Sequence, residues 1–230
     1  LNIFGFLKNE KKKFAKKKCI KRFLLRKLLF FQMSVVKYMR TIKESRNSST
    51  TYSDWLFGQK QFGRLFQIGM WPSFKEFTEC SAGFHGVLAV SDPSIRSNNN
   101  VVCYCIGDGH RPQMAAMISG LTAWKTIFSI DPLLCVNKWE KFISSKITMC
   151  KMVTEEFKVQ EFNESSISIV IAIHSHANFN NFWHRIPKPA IGVCVPCCVS
   201  QEVENETPCM EYIDLGIVHS PMNAVMIWKK

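Results

Sequence analysis

From Val101 to Ile106 the chain is apolar, and it then turns through Gly107-Asp108-Gly109 to His110, Arg111 and Pro112. Glycines at such a point let backbone approach a ligand, and a helix opening at the proline offers N–H groups to a polar or anionic group. A second apolar run, Thr126-Ile127-Phe128-Ser129-Ile130, ends in Asp131. An acid at the tip of the next strand can take ribose hydroxyls, so the two motifs together point to a nucleotide-type cofactor. The same residues also suit a plainer arrangement. Pro at a helix start serves a tight strand-to-helix turn, and Asp131 can cap the next helix or open an Asp-Pro turn.

Two more polar clusters follow apolar runs. His174-Ser175-His176 comes after Ile167–Ile173, and Pro196-Cys197-Cys198 comes after 190–195. On extended backbone i and i+2 point the same way, so His174 and His176 could share a zinc ion with Cys197 and Cys198. His174 could instead serve as an acid, a base or an orienting group beside a substrate. Cys197 is a candidate nucleophile if a helix N-terminus or an imidazolium depresses its pKa, and otherwise a buried thiol. Phe179, Phe182 and Trp183, next to His184 and Arg185, could stack on a base or simply fill a core.

These groups need elements to position them. The pattern predicts strands at 101–106, 125–130, 147–153, 167–173 and 190–195, with helices at 112–123, 135–145 and 178–185. Residues 210–213 and 224–228 read as closing strands. The runs at 167–173 and 190–195 are nearly pure apolar, which implies burial on both faces. The fold class is therefore α/β: a Rossmann-like, doubly wound, mostly parallel sheet with an antiparallel edge strand, preceded by N-terminal helices. In such sheets ligands sit beyond the carboxyl ends of the strands. Every cluster named above falls at a strand end, so all would share one rim. Upstream, the aromatic spacing over 52–79 predicts one or two amphipathic helices around Pro72, and Gly86–Ser91 reads as a short strand. The organisation expected is a basic tail at 1–32, a helical region at 33–84 and the α/β domain at 85–230.

The net charge of +12 is concentrated at one end. Residues 1–32 hold 11 Lys/Arg against a single acid, Glu10, so the rest of the chain is nearly neutral. Such a tail suits contact with nucleic acid or an anionic membrane, an organelle-targeting role, or a disordered or non-native upstream segment. Ten cysteines without a secretion signal point to a reducing compartment, and so to an intracellular protein, cytoplasmic or nuclear.

The order of motifs resembles class I S-adenosylmethionine-dependent methyltransferases. These have a glycine turn after strand one, an acid after strand two, a catalytic turn after strand four and, in one subgroup that includes candidate RNA modifiers, Pro-Cys-Cys after strand five. The resemblance covers residues 101–228. It implies that Gly107, Asp108, Gly109 and Asp131 hold S-adenosylmethionine, that His174, His176 and Cys197 are the catalytic candidates, and that the acceptor is RNA or a protein. Two departures stand out. The family's motif is acid-x-Gly-x-Gly, and Cys105 occupies the place of the acid. The turn after strand four lacks the Asn/Asp-Pro-Pro-aromatic pattern of amino-directed enzymes, which argues against N6-adenine methylation. A catalytically inactive methyltransferase-like scaffold or nucleic-acid-binding subunit is the alternative that Cys105 keeps open.

Overall fold

Helix α1 (Lys60–Gln67) and helix α2 (Phe74–Val90) lie on either side of Pro72, as the aromatic spacing predicts. The computed structural model describes residues 60–159, 166–197, 201–217, 220 and 222–230, so the basic segment 1–32 and Cys198 fall outside the described residues. Ser73 caps α2. Its Oγ accepts from Glu76 N–H and donates to the Glu76 carboxylate, a Ser-x-x-Glu start signal. The helix then runs through the boundary expected between 84 and 85.

Gly86–Ser91, expected as a strand, is the end of this helix. The reason is close packing. Gly83 and Gly86 lie one turn apart on the buried side. A Cβ at 83 would overlap Ile173 Cδ1, and one at 86 would stand 2.8 Å from Val193 Cγ1. The glycines let α2 lie directly on the sheet, Val87 is buried beside them, and Leu88 and Val90 pack partly against the same core, so the run looks strand-like in sequence.

Seven strands follow: β1 (Val101–Ile106), β2 (Thr126–Ile130), β3 (Ile147–Cys150), β4 (Ile167–Ile173), β5 (Ala190–Val195), β6 (Met210–Ile213) and β7 (Ala224–Lys229). They form one sheet in the order β3-β2-β1-β4-β5-β7-β6. The pairs β1–β2, β1–β4, β2–β3 and β4–β5 are parallel. Strand β7 is antiparallel to both β5 and β6, with β6 on its outer side. This is the doubly wound pattern, and its order reverses between β1 and β4. It is consistent with a Rossmann-like methyltransferase fold.

Alternate residues of the central strands feed two cores. Cys103, Cys105, Ile127, Ile169, Ile171 and Val193 face α2 and α3 (Gln113–Leu121). Tyr104, Phe128, Val170, Ala172 and Cys194 face α5 (Phe179–Arg185) on the other side. Coverage of both faces explains the unbroken apolar runs. The helix expected at 135–145 is only the short α4 (Val136–Trp139), and the strand expected to reach 153 stops at Cys150. Among the described residues no helix is long and apolar enough to cross a membrane.

Candidate functional site

The parallel pairing sends the C-terminal ends of β2, β1, β4 and β5 to one rim. Gly107–Gly109, Asp131, the 174–176 turn and Cys197 therefore share an edge, as the strand-end argument requires. Two backbone bonds carry the ladders past the strands: Gly107 N–H to Ile130 O and His174 N–H to Val195 O, both 2.8 Å.

The two glycines differ in what surrounds them. Gly107 has φ +65, and a Cβ there would overlap Ser175 Oγ and stand 2.6 Å from Ser175 Cβ. It closes the gap between β1 and β4 at the reversal point. Gly109 has φ +75 and nothing within 4 Å of an added Cβ. The side-chain direction is therefore filled by Ser175 at Gly107 and open at Gly109.

Asp108 turns inward. Its carboxylate accepts from Met114 N–H (2.8 Å), Ala115 N–H (3.2 Å) and Ser129 Oγ (2.8 Å). It thus satisfies first-turn donors of α3 and ties that helix to β2. Burial pushes its carboxyl up to about 7, against the downward pull of these three bonds; the Asp131 charge adds to the rise. Pro112 occupies the N-cap position of α3, one residue ahead of the helix, and makes no side-chain cap.

Asp131 is buried at the end of β2. One oxygen accepts from Gly109 N–H at 3.0 Å and the other from Leu133 N–H at 2.7 Å. The acid expected to serve a ligand is therefore bonded directly to the glycine turn expected to serve the same ligand. Each oxygen keeps a lone pair for a further donor. Next to it, Leu134–Lys138 and Lys151 line an open groove of about 310 Å³.

His174 ends β4 with φ 47, a left-handed conformation that is uncommon for a residue with a Cβ. Its Nε2 lies 2.9 Å from Glu79 Oε1 on α2, and Lys75 Nζ stands 3.4 Å from the same oxygen. His176 is exposed while Ser175 between them is buried. The strand stops at Ile173, so the i, i+2 rule for extended backbone fails here. Cys197 Sγ lies 3.9 Å from Ser175 O, beside the turn. Among the described residues no three His, Cys, Asp or Glu side chains come together as metal ligands, so the zinc reading finds no described ligand set. Phe179, Phe182 and Trp183 are core residues on the α5 side, not an exposed stacking surface.

Cys105 is 1% exposed on the α2/α3 face, and its Sγ is 3.9 Å from that of Cys103. Burial pushes its thiol well above the ordinary value. Glu79, Ser129 and Ser175 escaped the sequence reading. Glu79 alone left a trace: it is an acid on the stripe of α2 that also carries Gly83 and Gly86, where apolar residues are expected.

Fold and rim together define a doubly wound, mostly parallel α/β domain of Rossmann-like topology. No family model and no curated protein matches the chain. Among solved structures it is similar to a probable spermidine synthase from Corynebacterium glutamicum, at 9% identity and a TM-score of 0.37. The match covers 53% of this chain and 47% of that one, so it spans about half the length of the synthase chain.

Proposed function

We propose that the domain is a methyltransferase that binds S-adenosylmethionine at the rim beside β1 and β2 and acts on RNA or a protein. The observation that carries this reading is the contact between Gly109 and Asp131. A glycine with an open left-handed backbone is bonded to the acid of the neighbouring strand, at the carboxyl edge where such folds receive nucleotides. When bound, the cofactor supplies a methyl group on a positively charged sulfur.

The chain's own contribution is placement. The remaining lone pairs of Asp131 accept ribose hydroxyls, the open side of Gly109 admits the ligand against backbone, and the groove at Leu134–Lys138 receives a flat apolar group. Asp108 acts indirectly: it fixes the start of α3 and so the shape of the glycine turn. His174 stands on the acceptor side as base or orienter, with His176 and Cys197 flanking the turn. Methyl transfer in this class asks for alignment and exclusion of water more than for covalent help.

A second reading is a catalytically silent scaffold of the same fold. Two observations favour it. Cys105 replaces the family's acid and is packed in the core, and the nearby acid Asp108 is committed to α3 and Ser129. Calorimetric titration with S-adenosylmethionine separates the two. Saturable binding supports the enzyme; folded protein that gives no binding heat at millimolar ligand supports the scaffold.

A further inference from the structure

We propose that Glu79 is a positioning residue for His174, holding the ring with its proton on Nε2 and leaving Nδ1 as a free proton acceptor. The two residues come from α2 and from the end of β4, and only the fold brings them together. Glu79 Oε1 and His174 Nε2 are both buried from solvent, neither has an aligned hydrogen bond, and they lie 2.9 Å apart. A buried polar atom without a partner is costly, so a proton shared across this gap is the arrangement that satisfies both. A neutral imidazole carries one proton, and a carboxylate can only accept. The proton therefore belongs on Nε2.

Charge balance for Glu79 does not require the histidine. Lys75, one turn earlier and half-exposed, already stands 3.4 Å from the same oxygen. The left-handed backbone at φ 47 is uncommon for any residue with a Cβ, and histidine is one of the types that accept it. A histidine in a left-handed turn whose ring lies against a buried acid from another element has the setting of a working imidazole. About a fifth of the His174 side chain is exposed although Nε2 is buried. If the rim is a methyl-transfer site, such a ring suits an acceptor that must give up a proton, a hydroxyl or an N–H group, with that proton passing to Nδ1. This last step rests on the proposed function; the tautomer does not.

The experiment is long-range ¹H–¹⁵N correlation of the histidine rings in the full chain without ligand, with His174 assigned by its loss in His174→Asn. The result expected is an Nε2-protonated His174 in the native chain at neutral to mildly alkaline pH. Glu79→Met, which fills the same space without an acceptor, is expected to lose the single tautomer, and Glu79→Asp to retain most of it. A native ring protonated on Nδ1, or an unchanged tautomer in Glu79→Met, overturns the proposal. Neither result bears on whether the cofactor binds.

Discussion

Replacing Gly107 by alanine tests how β1 and β4 meet at the reversal point. Two costs add. The left-handed backbone at φ +65 costs an alanine about 1–2 kcal/mol. The new methyl group also overlaps Ser175 Oγ and presses on Ser175 Cβ and Cα at 2.6 and 3.1 Å. Ser175 is buried and its Oγ is held by Ala177 N–H at 2.9 Å, so it cannot swing away, and overpacking of this kind costs about 1–3 kcal/mol. Gly107→Ala should lose about 2–5 kcal/mol in all. Gly109→Ala has the same backbone penalty with open space around it, so it should lose only about 1–2 kcal/mol. The assay is urea unfolding of both variants, of Ser175→Gly and of the Gly107→Ala/Ser175→Gly double variant. Removing Ser175 Oγ should recover the steric part, giving a coupling of about 1–3 kcal/mol. Additive losses, or equal costs at 107 and 109, would refute the close approach of the two turns.

Three further outcomes follow from the same geometry. Asp108, with its carboxyl at about 7 when folded and 3.8 ordinarily, binds a proton in the native state that the unfolded chain has released. Its contribution is full below the unfolded value and is lost as pH rises through about 7, so Asp108→Asn should gain on the native chain between pH 5 and 8 in urea melts; a constant difference contradicts this. His174→Gly should be more stable than His174→Ala by about 1–2 kcal/mol, because only the alanine retains the left-handed penalty; equal melting points would remove the strain. Asp131→Ala should cost about 1–3 kcal/mol of stability, since it strands the Gly109 and Leu133 N–H groups, and a neutral effect would mean that water replaces the carboxylate.

The strands were legible because each central one is buried on both faces and so reads as an unbroken apolar run. The shared rim followed from parallel pairing alone. What stayed hidden depends on contacts that no local pattern carries. Glu79 meets His174 only because α2 packs across β4 and β5 through Gly83 and Gly86. The same packing made the end of α2 resemble a strand. Asp108 lies within the expected motif, yet the turn at Gly107 rolls its side chain toward the N–H groups of α3 rather than outward. The metal reading of His174 and His176 assumed extended backbone through His176, beyond Ile173 where β4 stops. The aromatics of α5 have the composition of a stacking surface, and only the facing sheet turns them into core.

The most direct test of the cofactor site is the backbone amide of Gly109, which donates to Asp131 in the ligand-free chain. Titrating ¹⁵N-labelled protein with S-adenosylhomocysteine should move the Gly109 amide saturably, together with Leu133, and Asp131→Ala should abolish or greatly weaken the response. Amides at the rim that stay in place at millimolar ligand, or that move identically without the Asp131 carboxylate, would contradict a cofactor site between β1 and β2.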